Sequence, residues 1–281
     1  MILSWGSDMS VEEKFSLYRN RRESSTICPT HGVAHWIITI PSVGGNREQE
    51  FCPECTREGI RQEEAQLVSA SIDNNQRLRT VNVFERESII SAELQKASFE
   101  TFKTNRPEDI QAVNFAKRMT KYYAADGLGN TFFYGPPGVG KSHLCISMAR
   151  RLNDQFKVYE NYKSLLFIPV SRLFSKIQSS FDGRGDFTEE RAIDLLTNVD
   201  YLFLDDLGKE CVMGNSIRAG NEWKQRVLFD ILDSRERTII NTNFGTEDLK
   251  TIYDSALYDR IFKGSQNKIF IYPEDAETKR W

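Results

Sequence analysis

The sequence has few cysteines, no excess of positive charge and no long apolar run. Its 281 residues include five cysteines, and the formal net charge is -3. This charge excludes a globally cationic nucleic-acid coat protein, although it allows a local basic patch. No segment approaches the roughly 18 apolar residues of a membrane span, and the opening residues do not resemble a secretion signal. We therefore expect a cytoplasmic protein without a membrane segment.

The composition that remains is typical of a globular protein with more than one folding unit. Apolar residues make up 40% of the chain and charged residues 27%, which is sufficient for a hydrophobic core. A chain of this length exceeds one typical domain. We expect one large core and one small appendage.

The cysteines cluster near the start of the sequence. Cys28-x2-His31 and Cys52-x2-Cys55 flank a stretch with the composition of a β-hairpin. An odd cysteine count in a reducing compartment makes disulfides improbable, and these four side chains match the ligands of a closed Zn²⁺ site. His35 is an alternative to His31, and free thiols without a metal are a further alternative. With four protein ligands no position is left for a catalytic water, so the expected role of Zn²⁺ is structural.

The segment "GPPGVGKS" matches the GxxxxGKS pattern of a phosphate-binding loop, after a predicted strand and before a predicted helix. Its glycines allow backbone N–H groups to face phosphates, and the helix adds its positive end. Lys141 is expected to reach the β and γ phosphates of ATP, and the Ser142 hydroxyl to ligate Mg²⁺. The nucleotide-binding residues are Gly135, Pro136, Pro137, Gly138, Val139, Gly140, Lys141 and Ser142.

The segment "YLFLDDLG" drives an apolar strand into two adjacent carboxylates. We expect Asp205 to hold Mg²⁺ directly or through water. Asp206 then stands where a general base would polarise the attacking water, and the alternative is a structural cap of the next turn. Because Asp is one methylene shorter than Glu, we expect slow intrinsic ATP hydrolysis.

Two further polar positions complete the expected ATPase site. Asn243, at the end of "IINTN", is the candidate for orienting water or binding the γ phosphate, with Asn241 as its competitor and an ordinary turn residue as the alternative. Arg260 lies on an amphipathic helix in "LYDRIF". It is either a solvated arginine or a finger inserted in trans into a neighbouring subunit's phosphate site, which implies self-association.

Five apolar segments alternate with helical patterns in the second part of the chain, which predicts an α/β fold with a five-stranded parallel sheet. The expected organisation is a zinc-binding domain in 1–58, a helical linker in 59–98 and an ATPase domain in 99–281. Residues 11–24 are charged and predict a short helix. The strands are expected in "NTFFYG", "SLLFIPV", "YLFLDDL", "RTIINTN" and "NKIFIYP".

These motifs resemble a known family. "GPPGVGKSHL", "LFLDDLG", "TIINTNF" and "LYDRIF" occur in the order and spacing of AAA+ ATPases of the DnaC/DnaI type, the bacterial and phage loaders of the replicative helicase. The resemblance covers roughly residues 97–281. It implies an AAA+ αβα core that binds ATP and Mg²⁺, with Asn243 as sensor 1, Arg260 as the trans-acting finger and Arg280 as a loosely matching sensor 2. It also implies that a zinc-bearing amino-terminal domain grips the helicase.

The family further implies single-stranded DNA as a partner. Candidate contacts are four basic residues and one aromatic residue near the second strand and helix of the ATPase domain: Lys163, Arg172, Lys176, Arg184 and Phe181.

The leading hypothesis is an ATP-regulated loader that delivers a hexameric replicative helicase to DNA. A transposition helper of the IstB type and a nucleotide-sensing adaptor without hydrolysis are the alternatives. An initiator resembling DnaA is disfavoured because no helix-turn-helix domain follows the fifth strand, and a kinase because nothing suggests a small acceptor pocket.

Overall fold

A computed structural model describes residues 21–42, 45–183, 185–213 and 216–279 of the chain. The chain forms two compact units, one ending at Asn75 and the other beginning at Gln76. We call the first the N-terminal module and the second the α/β domain. The division lies inside the long helix α1 (Pro53–Arg79), and so does the boundary expected after residue 58.

The N-terminal module is a three-stranded antiparallel sheet followed by the start of α1. Its strands are β1 (Arg22–Ile27), β2 (Ala34–Ser42) and β3 (Gly45–Phe51), in the order β1-β2-β3. The expected hairpin is β2 and β3, in which Trp36 pairs with Phe51. Two apolar side chains, Ile38 and Phe51, form its buried apolar cluster among the described residues.

Strand β1 corrects one sequence-based expectation. A helix was expected over residues 11–24, but Arg22, Glu23 and Ser24 lie in β1, while residues 11–20 lie outside the described part of the chain. The strand is nearly all exposed and gains its structure by pairing with β2. Pairing to a neighbouring strand has overridden the local helical preference.

The α/β domain contains a five-stranded, fully parallel sheet, as the sequence predicted. The strand order is β10-β4-β9-β6-β5, with β4 (Thr131–Tyr134), β5 (Leu165–Pro169), β6 (Tyr201–Leu207), β9 (Thr238–Thr242) and β10 (Ile269–Ile271). A small antiparallel pair, β7 (Val212–Met213) and β8 (Ser216–Ile217), follows β6. Each sheet strand coincides with one of the five expected apolar segments.

Helices cover both faces of this sheet. They are α2 (Val83–Glu87), α3 (Pro107–Ala124), α4 (Lys141–Val158), α5 (Val170–Ser179), α6 (Glu189–Asn198), α7 (Glu222–Asp233), α8 (Thr246–Ile252) and α9 (Ser255–Ile261). Two 3₁₀ turns occupy Ala92–Leu94 and Lys209–Cys211. None of the helices in the described ranges combines the length and apolar character that a membrane span requires.

Successive strand residues point to opposite faces, and strands β4, β5, β6 and β9 each contribute side chains to two buried clusters. Phe133 and Phe203 belong to the cluster that includes residues of α3 and α4. Their neighbours Phe132, Leu202 and Leu204 belong to the cluster that includes residues of α5 to α9. Burial on both faces explains why these strands read as continuous apolar runs rather than as an alternating pattern. The sheet therefore fixes the positions of the loops that follow β4, β6 and β9.

Candidate functional site

The phosphate-binding loop connects β4 to α4. Gly135, Gly138 and Gly140 have φ angles of 154°, 86° and 100°, which residues with a side chain rarely adopt. Helix α4 begins directly after Gly140, and no side chain caps its first N–H groups. Uncapped N–H groups at a helix start are the donors that phosphate oxygens use. The backbone geometry of this loop therefore fits a nucleotide's phosphates.

Lys141 lies at the start of α4 with its side chain 5% exposed. Its ammonium group donates hydrogen bonds to the carbonyl oxygens of Gly135 and Pro136, at 2.7 and 2.8 Å. It also donates to Asn243 Oδ1 at 2.7 Å. The positive charge is thus held between the phosphate loop and the end of β9, which is the place expected for a phosphate-binding lysine.

The two acids of "LDDLG" lie at an irregularity of the sheet. β6 pairs in register with β9 as far as Leu204, and the register has shifted by Leu207. Asp206 has a φ angle of 55°, an uncommon conformation for a residue other than glycine. Because a bulge changes the direction in which side chains point, it separates the environments of neighbouring residues. Asp205 is buried, at 6% exposure, and Asp206 is partly exposed.

Both asparagines that the sequence offered as alternatives lie at this site, with different partners. Asn241 is fully buried; its Nδ2 donates to Asp205 Oδ1 at 2.5 Å, and its Oδ1 accepts from the Asp206 backbone N–H at 3.1 Å. Asn243 Nδ2 donates to Asp206 Oδ1 at 3.4 Å. Since Asn243 Oδ1 accepts from Lys141, Asn243 links the phosphate loop to the second acid, whereas Asn241 orients the bulge itself.

Asp205 and Ser142 form the oxygen pair that could hold Mg²⁺. Burial raises the pKa of the Asp205 carboxyl, and hydrogen bonds from Ser142 and Asn241 oppose that rise. Carboxylate and hydroxyl oxygens are ligands that suit Mg²⁺. A divalent cation would also supply the positive charge that favours the ionised form of a buried carboxyl. The donor set of this cleft therefore fits a magnesium–nucleotide complex.

Asp206 has a charged neighbour that the sequence analysis did not anticipate. Lys209 Nζ donates to Asp206 Oδ2 at 3.0 Å, and the lysine side chain is 59% exposed. An ion pair with an exposed lysine is weak in water and readily exchanged. Asp206 therefore shares its two oxygens between Asn243 and Lys209.

The four Cys and His residues of the N-terminal module come together. One ligand atom from each of Cys28, His31, Cys52 and Cys55 lies within 4.8 Å of the others. His31 Nδ1 lies 3.6, 3.7 and 3.3 Å from the sulfur atoms of Cys28, Cys52 and Cys55, and the Cys28 and Cys55 sulfurs are 3.7 Å apart. Ligands bound tetrahedrally at about 2.3 Å from one ion lie about 3.8 Å apart. The cluster therefore fits a Zn²⁺ ion.

The two histidines of this region have different surroundings. His31 Nε2 lies 3.1 Å from Glu58 Oε2, so its other ring nitrogen faces the cluster. His35 Nδ1 lies 3.5 Å from Glu50 Oε1 and is not part of the cluster. A carboxylate behind a ligating histidine fixes the ring's orientation and tautomer. The geometry thus favours His31 over His35, the alternative left open by the sequence.

Comparisons with known proteins agree with the DnaC-type resemblance that the motifs indicate. The replicative helicase loader DnaC of Buchnera aphidicola subsp. Baizongia pistaciae (strain Bp) is 26% identical over 209 residues, covering 73% of this chain and 78% of that protein. The uncharacterized protein YdaV of Escherichia coli (strain K12) is 26% identical over 247 residues, covering 86% of this chain and 84% of that protein. No family model matches the sequence.

The resemblance to DnaC-type proteins is confirmed. A crystal structure of the DnaC helicase loader matches with a TM-score of 0.50 at 19% identity, over 64% of this chain and 98% of that structure. At 19% identity this match shows a shared fold and nothing more. The α/β domain therefore shares the fold of the DnaC loader over the matched region, while the activity and partners need their own argument.

Arg260, the finger expected from the DnaC resemblance, lies at the other end of the sheet from the phosphate loop. Asn130, which immediately precedes β4, donates through Nδ2 to the Arg260 carbonyl oxygen at 3.0 Å, whereas the phosphate loop follows the end of β4. The Arg260 side chain is 40% exposed, and its Nε donates to Asp233 Oδ1 at 2.6 Å. This placement keeps the Arg260 side chain away from the phosphate loop of its own chain.

The described candidate DNA contacts lie on different elements of the domain. Lys163 precedes β5 and lies 3.7 and 3.9 Å from carboxylate oxygens of Asp126 and Asp200. Arg172 and Lys176 lie on α5, which follows β5. Lys163 therefore precedes the strand, and Arg172 and Lys176 lie on the helix after it. Phe181 is 61% exposed and contacts Trp223 edge to face, while Arg184 and Arg280 lie outside the described residues.

Sequence reasoning missed several residues that support this site. Glu210 accepts a hydrogen bond from the Gly208 N–H at 3.0 Å and is bonded to the Tyr253 hydroxyl, and burial raises the pKa of its carboxyl. Asp233 and Glu58 were missed in the same way. Glu210 and Glu58 each lie about one helical turn from a motif, which is the signal that they offered. Asp233 lies 27 residues before its partner Arg260, so only the fold identifies that contact.

Proposed function

We propose that this protein is an ATP-dependent loader of the replicative DNA helicase, in which ATP binding and hydrolysis control DNA binding and helicase release. One observation carries the proposal: Lys141, Asn243 and Asp206 form a hydrogen-bonded chain beside the Ser142–Asp205 pair. This is the set of groups needed to hold a triphosphate, a metal ion and a water. The similarity to DnaC loaders supports the choice of partner.

Each residue has one task in this proposal. The loop from Gly135 to Ser142 binds the phosphates, with Lys141 neutralising their charge. Bound Mg²⁺, held by Ser142 and Asp205, would stabilise charge that develops on the leaving phosphate. Asp206 accepts the proton of the attacking water, and Asn243 orients that water. Asn241 keeps the two acids in their relative positions.

Arg260 acts in trans, as a finger for the site of a second copy of the chain. Its half-exposed guanidinium and its position at the far end of the sheet support this role. An arginine supplied in this way stabilises charge in the transition state. ATP hydrolysis would then depend on self-association, which suits a slow switch located in the cytoplasm.

The N-terminal module is proposed as the zinc-binding domain that docks onto the hexameric helicase, and single-stranded DNA as a ligand of the ATPase domain. The four-ligand geometry of Cys28, His31, Cys52 and Cys55 supports a structural Zn²⁺. A zinc-bearing module at this position favours the helicase loader over an IstB-type transposition helper.

A nucleotide-sensing adaptor without hydrolysis is the second candidate. The ion pair between Lys209 and Asp206 favours it, because a carboxylate oxygen that contacts Lys209 is not free to hold the attacking water. In that case ATP binding alone would switch partner binding. The two candidates agree on the binding site and differ only at Asp206.

The test combines co-purification with turnover. The chain and its Asp206→Asn variant are each mixed with a purified hexameric replicative helicase of the encoding organism or its host, with and without ATP. For a loader we expect ATP-dependent complex formation by both, with hydrolysis in the presence of single-stranded DNA by the unmodified chain only. Equal absence of turnover in both favours the adaptor. An unmodified chain that binds neither ATP nor helicase contradicts the proposal.

A further inference from the structure

The segment that follows β10 runs along the outer side of the phosphate loop. β10 pairs in parallel with β4, and the pairing continues past the strand ends, since the Tyr272 N–H donates to the Tyr134 carbonyl at 2.8 Å. Farther on, the Lys279 N–H donates to the Gly138 carbonyl oxygen at 2.9 Å. Residues 273–279 therefore run alongside the phosphate loop, just as β10 runs alongside β4.

The fit between this segment and the loop is close at Gly138. A Cβ atom built there would lie 2.0 Å from Thr278 Oγ1, far inside van der Waals contact. The absence of a side chain at Gly138 thus serves the packing of the segment as well as the backbone conformation. Any larger residue at position 138 would displace either the packed segment or the loop backbone.

The side chain of Lys279 anchors the segment to the body of the domain. Its Nζ lies 2.5 Å from Asp109 Oδ1, and the Asp109 residue is 3% exposed. It also lies 3.7 Å from the centre of the Phe102 ring. That ring in turn packs against the loop, because a Cβ at Gly140 would lie 2.6 Å from it. One lysine therefore ties helix α3, Phe102 and the phosphate loop together.

We propose that residues 273–279 form a strap that holds the phosphate loop in its binding conformation, with Lys279 as a positioning residue. The C=O of Gly138 and the N–H of Val139 belong to one planar trans peptide and point in opposite directions. A strap that holds the carbonyl outward keeps that N–H turned inward, toward the phosphates. This inference rests on the proposed binding of ATP at the loop.

Two double variants separate the backbone hydrogen bond from the ion pair. Asp109→Asn with Lys279→Met removes the ion pair and the hydrogen bond from Lys279 Nζ to the Lys103 carbonyl oxygen. It leaves no buried carboxylate unpaired, and it keeps the N–H at 279. Asp109→Asn with Lys279→Pro also removes that N–H. Lys250→Met, which breaks an exposed pair with Glu247, is the control. Binding of ATP and ADP to each protein is measured by isothermal titration calorimetry, and ATP turnover gives KM and kcat.

We expect the Met variant to bind both nucleotides about threefold more weakly and the Pro variant about tenfold more weakly, as for the loss of one or two hydrogen bonds. The loss should appear in KM more than in kcat, and the control should match the unmodified chain. If both variants bind as the unmodified chain does, the strap is wrong and the proposed function stands. If the unmodified chain binds no nucleotide, both are wrong.

A second measurement needs no variant. Because binding and strap docking favour each other, saturating ATP and Mg²⁺ should slow tryptic cleavage after Lys279 several-fold, as reciprocal linkage requires. Mass spectrometry of the unmodified chain follows this cut. A cleavage rate that ATP does not change contradicts the strap even if the variants fail to fold.

Discussion

The N-terminal module and the α/β domain hold their structures by different means. In the described part of the module, two apolar side chains, Ile38 and Phe51, form the buried apolar cluster beside the Cys and His residues. The α/β domain buries strands on both faces in two large clusters. A small unit that buries so little apolar surface needs a staple, whereas the larger one does not. Zn²⁺ bound by the four Cys and His side chains is the proposed staple for the module.

Removing the metal is the strongest test of this difference. Structural Zn²⁺ contributes on the order of 10 kcal/mol to the folding of small metal-binding units. We therefore expect a strong chelator to unfold residues 21–57 while the α/β domain keeps its nucleotide affinity. Limited proteolysis within 21–57 and calorimetric titration of ATP measure the two effects. Simultaneous loss of both would show that the two units do not fold independently.

In the α/β domain the corresponding sensitive position is Asn241, a buried polar side chain within the sheet. Asn241→Ala leaves the Asp206 N–H without its acceptor and removes a donor from the buried Asp205 carboxylate. We expect a loss of about 2 kcal/mol in the free energy of unfolding and a fall of about 100-fold in kcat. Denaturant titration and steady-state ATP turnover measure them.

The exposed Asn198, which donates to Asp194 on the same helix, provides the matched control. Asn198→Ala should change the unfolding free energy by less than about 0.5 kcal/mol and leave kcat unaltered. If Asn241→Ala retained full turnover, Asn241 would be a packing residue rather than a support of the two acids.

The two regions also differ in how far sequence alone predicts them. Strands β4, β5, β6 and β9 were predicted because runs such as "LLFIP" and "YLFL" are apolar enough for burial on both faces. The edge strand β10 is more exposed, but its residues are still apolar and β-branched or aromatic. Strand β1 was not predicted, because its residues are exposed and polar and its structure depends on pairing with β2. Sequence patterns detect apolar residues, and the exposed strand β1 offers few of them.

The candidate site was likewise predictable from sequence only in part. The glycines, Lys141 and Ser142 follow a fixed spacing, so their juxtaposition could be predicted. The relation of Asn241 to Asp205 could not, because it depends on a register shift between β6 and β9. Likewise Lys163 and Arg172 appear close in sequence, but the intervening strand separates them.

A smaller effect is expected at Glu58, whose carboxylate contacts the proposed zinc ligand His31. Glu58→Gln weakens the acceptor at His31 Nε2, and loss of such a partner costs about 10-fold in metal affinity. Competition with a chromophoric chelator measures that affinity. Glu54→Gln is the matched control, because Glu54 lies on the same helix but pairs with Arg57 at 2.6 Å. Equal zinc retention by both variants would rule out a role for Glu58 in holding the histidine.

The smallest effect is expected at Asp233, an exposed side chain that pairs with the proposed finger Arg260. Asp233→Asn releases Arg260 from an ion pair whose members are 49% and 40% exposed, and such pairs contribute less than about 1 kcal/mol. The freed guanidinium should raise ATP turnover about twofold at concentrations that favour assembly, and leave turnover of the dilute chain unchanged. Arg260→Ala should abolish the concentration-dependent part. A twofold gain that persists in the Asp233→Asn, Arg260→Ala double variant would mean that Asp233 acts through some other group, because the finger would then be absent.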